Sequence, residues 1–317
     1  MRREVISFLP ISRHFGVDID VHSLRVAVVR AGKQHTVRSV NEIALTHNPF
    51  LKNGIRNKEE LQAKIKEACD SAKPRPIKLT KAVCSLPESS VFSKVINLPR
   101  LAKAELAQTI PFEAADFLPM PLDEMYLDWH IDDVVTLHKD KPTQQVLVVA
   151  APKKLVDDLQ DVFIQAGFEL LCLESEPFSL ARSLGPLMPT KTVSVILNFA
   201  HHVTTIILAN RSVIKYTATI PIGSEKLAKH NQVYLRAIGD EIQESIRYYH
   251  NRLGEEGAIQ MILLTGAGAM QSTMTKDLQN IIKIPCYVGH APVKLPNNAP
   301  VHPRFNTVIG LSLWKQL

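Results

Sequence analysis

Gly16-Val17-Asp18-Ile19-Asp20 ends a strand pattern that begins at Phe15 and sets two carboxylates beside a tight turn. Side chains alternate along a strand, so Asp18 and Asp20 share one face, an arrangement that suits a shared cation better than proton transfer. At such a turn backbone N–H groups can face a phosphate while an aspartate holds its magnesium, although a plain acidic turn after a strand has the same pattern. Downstream, Leu24 to Arg30 and Thr36 to Ile43 read as a hairpin turning at Ala31-Gly32-Lys33-Gln34.

The second half of the chain repeats this opening. Strand Val193 to Asn198, strand Thr204 to Leu208, a turn at Ala209-Asn210-Arg211-Ser212 and strand Val213 to Ile220 follow the same plan. With Asp18 set against Asn198, an offset of 180, Asp20 falls on Ala200, His22 on His202, Val26 on Ile206 and Val28 on Leu208. A strand, a polar turn and a hairpin heading each half point to internal duplication, though two unrelated amphipathic hairpins share part of the pattern.

Between the repeats, Asn57 caps a helix with Glu60 in capping-box position and Leu61, Ile65, Ala68 and Cys69 as its apolar stripe. Strands at Lys81 to Leu86 and Val91 to Leu98 lead to a helical pattern from Ala102 to Phe117, which Pro111 is expected to kink or break. Strands at Glu124 to Val135 and Gln145 to Ala151 flank a polar turn at His138 to Thr143, and a helix through Leu155, Leu159 and Phe163 stops at Gly167. A strand at Glu169 to Leu173 and a helix at Phe178 to Leu184 precede Gly185, Pro186 and Pro189, which mark the boundary between lobes. Beyond the second hairpin come a helix from Ser224 to Leu253, a buried strand Gln260 to Leu264, and the loop Thr265-Gly266-Ala267-Gly268. A helix from Met270 to Ile282, a strand Pro285 to Val288 and a helix Asn306 to Trp314 packed on this second sheet complete the chain. Gly266 and Gly268 could let the backbone approach a flat ligand such as adenine, or could form an ordinary strand-to-helix turn. Strands and helices mixed in this way imply α/β layers.

Thirty-seven basic and 31 acidic residues leave a net charge of +6 without a Lys/Arg cluster, which argues against a nucleic-acid surface. The charge fits a solvated basic surface or contact with acidic lipid headgroups. Cys69, Cys84, Cys172 and Cys286 lack disulfide or zinc spacing. Met1 to Pro10 is too short for a signal peptide and no apolar run approaches the ~20 residues of a membrane span, so a cytoplasmic protein is expected. His201 and His202, adjacent on an extended segment, point to opposite faces and read as polar turn residues, not as metal co-ligands. Phe117, Tyr126 and Trp129 read as core or partner-groove residues.

In this order the pieces resemble the actin-like ATPase superfamily and, within it, the PilM type IV pilus assembly proteins, relatives of the cell-division protein FtsA. Gly16 to Asp20 is similar to the first phosphate motif, Val195 to Thr205 to the second, and Leu264 to Gly268 to the adenosine motif. Strings peculiar to the PilM branch are Lys94-Val95-Ile96-Asn97-Leu98-Pro99, Phe117-Leu118-Pro119-Met120-Pro121-Leu122-Asp123-Glu124, Val148-Val149-Ala150-Ala151-Pro152-Lys153, Glu176-Pro177-Phe178-Ser179-Leu180-Ala181-Arg182 and Ile220-Pro221-Ile222-Gly223. The resemblance implies a two-lobed actin-like (ribonuclease H-like) α/β fold. Residues 1–90 and 168–190 would form the first lobe, 91–167 an SHS2-like insertion, and 191–317 a second lobe with a reduced fourth subdomain.

It further implies ATP or ADP with magnesium in the interlobe cleft, held by Asp18, Asp20, Asn198, Ala200, Gly266 and Gly268, with Glu241 near the ribose and Asp18 on the metal. Departures from the family pattern weaken the hydrolytic part. Asp20 stands where glycine is usual, Asn198-Phe199-Ala200 replaces Asp-Ile-Gly, and Glu244 replaces a basic residue. An amide cannot orient water or magnesium as a carboxylate does, so hydrolysis is expected to be weak or absent.

The function implied is a scaffold peripheral to the inner membrane that holds the cytoplasmic tail of a PilN-like protein and meets other pilus assembly proteins, with self-association also open. An active ATPase or ATP-dependent kinase is the enzymatic alternative. An FtsA-like filament protein is the other, and it would need a C-terminal amphipathic anchor where this sequence stops at Leu317.

Overall fold

The computed structural model describes residues 14–315 apart from 33, 53, 139–140, 230, 254–257, 272, 296 and 298. Met1 to Pro10, Lys33 of the first hairpin turn and 139–140 of the 138–143 turn therefore lie outside the described residues.

Phe15–Ile19 (β1), Ser23–Arg30 (β2) and His35–Ala44 (β3) form the antiparallel start of the first sheet. Short strands Phe50–Leu51 (β4) and Gly54–Ile55 (β5) pair with each other, and helix Lys58–Asp70 (α1) follows. Asn57 accepts the Glu60 N–H as the α1 cap, and Leu61, Ile65, Ala68 and Cys69 are its buried stripe as the spacing requires. Strand Lys81–Leu86 (β6) runs parallel to β1.

Strand Phe92–Pro99 (β7), helix Lys103–Ala115 (α2), and strands Met125–His138 (β8) and Lys141–Pro152 (β9) then build a separate sheet of order β7-β9-β8. It has its own core, in which Leu106, Ile110 and Ala114 of α2 meet Ile96, Leu98, Val146 and Val148. Of the kink or break expected at Pro111, the break does not occur, since α2 runs through it. The carbonyl that Pro111 leaves unpaired belongs to Ala107, which is exposed, so water can take the place of the missing N–H.

Helix Lys153–Gln165 (α3) lies inside the 91–167 span, yet Leu155, Leu159, Val162 and Phe163 join the core beneath β1 and α1. Strand Glu169–Ser175 (β10) pairs parallel with β6, and helix Glu176–Leu184 (α4) leads out of the first lobe.

The second sheet comprises Ser194–Phe199 (β11), Thr204–Asn210 (β12), Val213–Ile220 (β13), Ile262–Gly266 (β14) and Cys286–Val288 (β15), in the order β13-β12-β11-β14-β15. The expected helix 224–253 is described in two parts, Ser224–Lys229 (α5) and Asn231–Leu253 (α6), and the helix expected from Met270 starts at Met274 (α7, Met274–Ile282). A short strand Val293–Lys294 (β16) returns to β3, and Asn306–Ser312 (α8) follows.

The duplication extends to the hydrogen-bond register. Asp18 faces Arg25 across its hairpin and Asn198 faces Thr205 across the other; the register shift opposite Val28/Val29, with Arg38 of β3 as the extra residue, recurs opposite Leu208/Ala209, with Lys215 of β13 as the extra residue. The parallel neighbours also match, with Val17 opposite Cys84 and Leu197 opposite Leu264, each pair again 180 residues apart.

Both faces of the second sheet are covered, which explains its uninterrupted apolar run. Val195, Leu197 and Phe199 face the core shared with α6 and α7, and Ile196 faces α4. Each such buried side chain contributes roughly 2 kcal/mol on leaving water. Thus α4, from the first lobe, covers the second sheet. Helix α8 makes the reverse crossing: against expectation, it packs on β1, β2 and β6 of the first sheet and against α4. Small residues permit this, since a side chain at Gly16 would meet the Val308 carbonyl at 2.4 Å and one at Gly310 the Ser179 carbonyl at 1.9 Å. Asn306 anchors the crossing to the second lobe by donating to Thr265 Oγ1 and the Gly289 carbonyl while accepting from the Ala291 N–H.

Candidate functional site

Alternation along β1 turns Phe15, Val17 and Ile19 into the first core and leaves Asp18 on the opposite face, at the strand end that opens between the lobes. Asp18 is buried. Its Oδ2 accepts from Arg25 Nη1 at 3.0 Å and its Oδ1 from Ser85 Oγ at 2.9 Å. Arg25 Nη2 also lies 3.8 Å from Asp20 Oδ2, and Arg25 Nε donates to Glu42 at 2.9 Å. Glu42 in turn accepts from Arg304 at 2.8 Å. The cation that Asp18 and Asp20 share is therefore an internal guanidinium. Burial pushes the Asp18 carboxyl up, against the opposing pull of Arg25 and Ser85.

Asn198 is also engaged. Its Nδ2 donates at 2.8 Å to Oε2 of Glu176, the first residue of α4, joining the two lobes. Burial, reinforced by Asp18, Asp20 and Glu88, holds Glu176 well above the carboxylate range. Glu88 is raised to about 7 by burial, and its Oε2 is shut off from solvent with no hydrogen-bond partner among the described residues.

Several backbone groups in and beside the two phosphate-like motifs are bonded within the chain. The Asp20 N–H donates to the Ser23 carbonyl, the Val21 N–H to Asp20 Oδ1, the Ser224 N–H to the Ala200 carbonyl, and the Glu225 N–H to the His201 carbonyl. Gly266 has φ +87°, and a side chain there would meet the Phe199 carbonyl at 2.5 Å and Asn198 Oδ1 at 2.7 Å. At Gly268 an added Cβ would lie 2.9 Å from both Phe199 Cβ and Ser224 Cβ. Both glycines are thus accounted for by contacts within the chain. Glu241, expected near a ribose, is near enough to Tyr216 of β13 to add to the burial that pushes the Tyr216 phenol up.

Magnesium does not fit Asp18 as it stands, because both its carboxylate oxygens already have partners, and the Asp20 and Val21 amides beside it are likewise engaged. Nothing in the sequence alone assigns a site role to Arg25, Ser85, Glu176 or Glu88, although the hairpin register that sets Arg25 opposite Asp18 follows from the two strands and their turn.

Three histidines line the mouth of the same cleft. His22 follows β1, while His201 and His202 follow β11; ring centroids of His22 and His201 are 4.2 Å apart and those of His201 and His202 4.4 Å. The expectation that the adjacent pair diverges does not hold, since their Nδ1 atoms are 3.2 Å apart. Residues 200–203 form a bend between strands, where strict alternation lapses.

A second concave region lies where the insertion meets the first lobe. A groove of about 560 Å³ is lined by Met120, Asp123 and Glu124 on one side and Pro152, Lys153 and Asp157 on the other. Strand β8, the outer strand of its sheet, begins at this groove. Tyr126 there is exposed, donates to Asp157 Oδ1 at 3.1 Å and lies beneath Lys153 Nζ, 5.6 Å from the ring centre. Phe117 and Trp129 are half-buried against the insertion core. On the opposite side, β7 meets β13 through Ser93 Oγ and Thr217 Oγ1, 3.1 Å apart, beside a 260 Å³ cavity. No described helix is long and apolar enough to cross a membrane.

Residues 16–230 match the family of the type IV pilus assembly protein PilM. Among solved structures, the chain is similar to a PilM-PilN type IV pilus biogenesis complex (TM-score 0.81, 17% identity, covering 96% of this chain and 98% of that one). It also resembles the ethanolamine utilization protein EutJ from Carboxydothermus hydrogenoformans (TM-score 0.55, 12% identity, 99% and 94% covered). A third similar structure is the cytoplasmic domain of EpsL, an inner membrane component of the type II secretion system of Vibrio cholerae (TM-score 0.53, 11% identity, 96% and 97% covered). The two lobes, crossing helices and inserted sheet constitute a mixed α/β actin-like ATPase fold.

Proposed function

The chain belongs to the family of the type IV pilus assembly protein PilM, and from that premise we propose that it is a non-hydrolysing scaffold for the cytoplasmic tail of a PilN-like inner-membrane protein. The observation that carries this reading is the groove between the insertion and the first lobe, beside the outer strand β8. An extended peptide can add backbone hydrogen bonds to such an edge and seat alternate side chains in the groove. Asp123 and Glu124 suit the Lys/Arg residues enriched in cytoplasmic segments beside a membrane span. Peripheral membrane association follows from the partner, and other pilus assembly proteins and further copies of the chain remain free to meet the other faces.

ATP or ADP with magnesium is the cofactor that the fold implies. The scaffold reading assigns it no step, because Arg25 and Ser85 occupy the carboxylate that would hold the metal. Calorimetry of the whole protein with the tail peptide of a PilN-like partner tests the reading. We expect micromolar affinity or better, about 8 kcal/mol, with or without ATP, and a loss of at least ~10-fold in the Asp123→Lys/Glu124→Lys variant. Absence of binding, or binding unchanged by that variant, overturns it.

A further inference from the structure

We propose that His22, His201 and His202 form a zinc-class divalent metal site that clasps the two lobes at the mouth of the cleft, with Glu225 as the fourth ligand. Ligand nitrogens of the three histidines all lie within 4.8 Å of one another. His201 Nδ1 and His202 Nδ1 are 3.2 Å apart. A tetrahedral zinc ion with nitrogens at ~2.0–2.1 Å sets its ligands roughly 3.3–3.4 Å from each other, so this pair already has ligand spacing. Glu225 Oε2 is 3.4 Å from His202 Nδ1 and 3.8 Å from His201 Nδ1, which brings a carboxylate to the same point. Three imidazoles and one carboxylate are borderline donors that suit zinc better than magnesium or calcium.

The position in the fold adds a second argument. His22 follows the first strand of one repeat and His202 the first strand of the other, at equivalent places 180 residues apart. The duplication therefore delivers one ligand from each lobe to a common point. His22 and His202 are exposed and His201 half-buried, so an ion can enter from solvent without opening the core. A bound ion would tie the lobes outside the Arg25 network, across the cleft where the superfamily fold would place nucleotide.

The test uses tag-free whole protein, stripped with chelator and desalted, titrated with Zn²⁺ by calorimetry and with Co²⁺ by visible absorption. One ion per chain with micromolar or tighter affinity, and the intense bands of tetrahedral Co²⁺, are expected. Losing even an outer-shell partner of a metal site costs about 10- to 100-fold in affinity, so His22→Ala and His202→Ala should each lose at least ~100-fold. Both positions are exposed, and circular dichroism checks that the variants fold. His47→Ala, at an exposed histidine elsewhere, should bind as wild type. If no stoichiometric ion binds, or if His22→Ala and His202→Ala bind like His47→Ala, the site does not exist and the histidines only stack and share a hydrogen bond. Tail-peptide binding is measured separately, so failure here leaves the scaffold reading intact.

Discussion

Arg25 reaches from β2 to within 3.0 Å of Asp18 on β1, so the buried carboxylate of the first phosphate-like motif is neutralised from within its own hairpin. Both side chains are almost fully buried. Removing one partner of such a pair leaves the other charge stranded and typically costs about 3–5 kcal/mol. Arg25→Met should therefore destabilise the protein by that amount in urea unfolding. Adding Asp18→Asn should restore part of the loss. A cost for Arg25→Met below about 1 kcal/mol would show that the pair is not closed in solution.

The same closure bears on turnover. Purified protein with magnesium and ATP should hydrolyse well below ~1 s⁻¹, the lower end of ordinary enzymatic rates, and Asp18→Ala should not change the rate. Magnesium-dependent turnover at or above that rate, abolished by Asp18→Ala, would mean that Arg25 vacates the carboxylate when nucleotide arrives.

Glu88 gives a pH signature. Burial raises it from 4.5 to about 7 in the folded protein, so the folded state holds a proton that the unfolded chain releases between those values. Its contribution is fully present below pH 4.5 and is lost as pH rises to about 7. Glu88→Gln, neutral throughout, should gain roughly 2–3 kcal/mol relative to wild type across that window. Parallel stability curves for the two proteins would contradict the shift.

At the crossing of α4 and α8, Gly310 lies so close to Ser179 that a Cβ would meet the carbonyl at 1.9 Å. Gly310→Ala should force the helices apart and cost about 3 kcal/mol or more, the upper range for overpacking. Gly32→Ala, exposed and with nothing nearer than 3.5 Å to the added Cβ, should stay within about 0.5 kcal/mol of wild type. Equal melting temperatures for the two variants would rule out the tight crossing.

Much of the architecture is legible because it is local or periodic. The Asn57 cap, the α1 stripe and the two hairpins depend on neighbours in sequence, and the 180-residue offset between Asp18 and Asn198 extends to pairings and bulges. What escapes depends on partners distant in the chain. Helix α8 reads as part of the second lobe because its sequence neighbours are there, whereas its partners are Ser179 and the first sheet. Glu176 lies within a family string, but its role as the acceptor for Asn198 exists only once α4 bridges the lobes. The histidine cluster had a visible signal, the alignment of His22 with His202, but strand alternation does not apply in the bend that brings His201 and His202 together.

The groove reading is tested most directly by hydrogen exchange on the whole protein with and without the tail peptide. Slowed exchange is expected at 120–127 and 152–158, the margins of the groove and the start of β8, with 18–25 and 198–202 unchanged. Protection confined to 18–25 and 198–202, or no protection with peptide bound at saturation, would contradict a scaffold that works through the insertion groove.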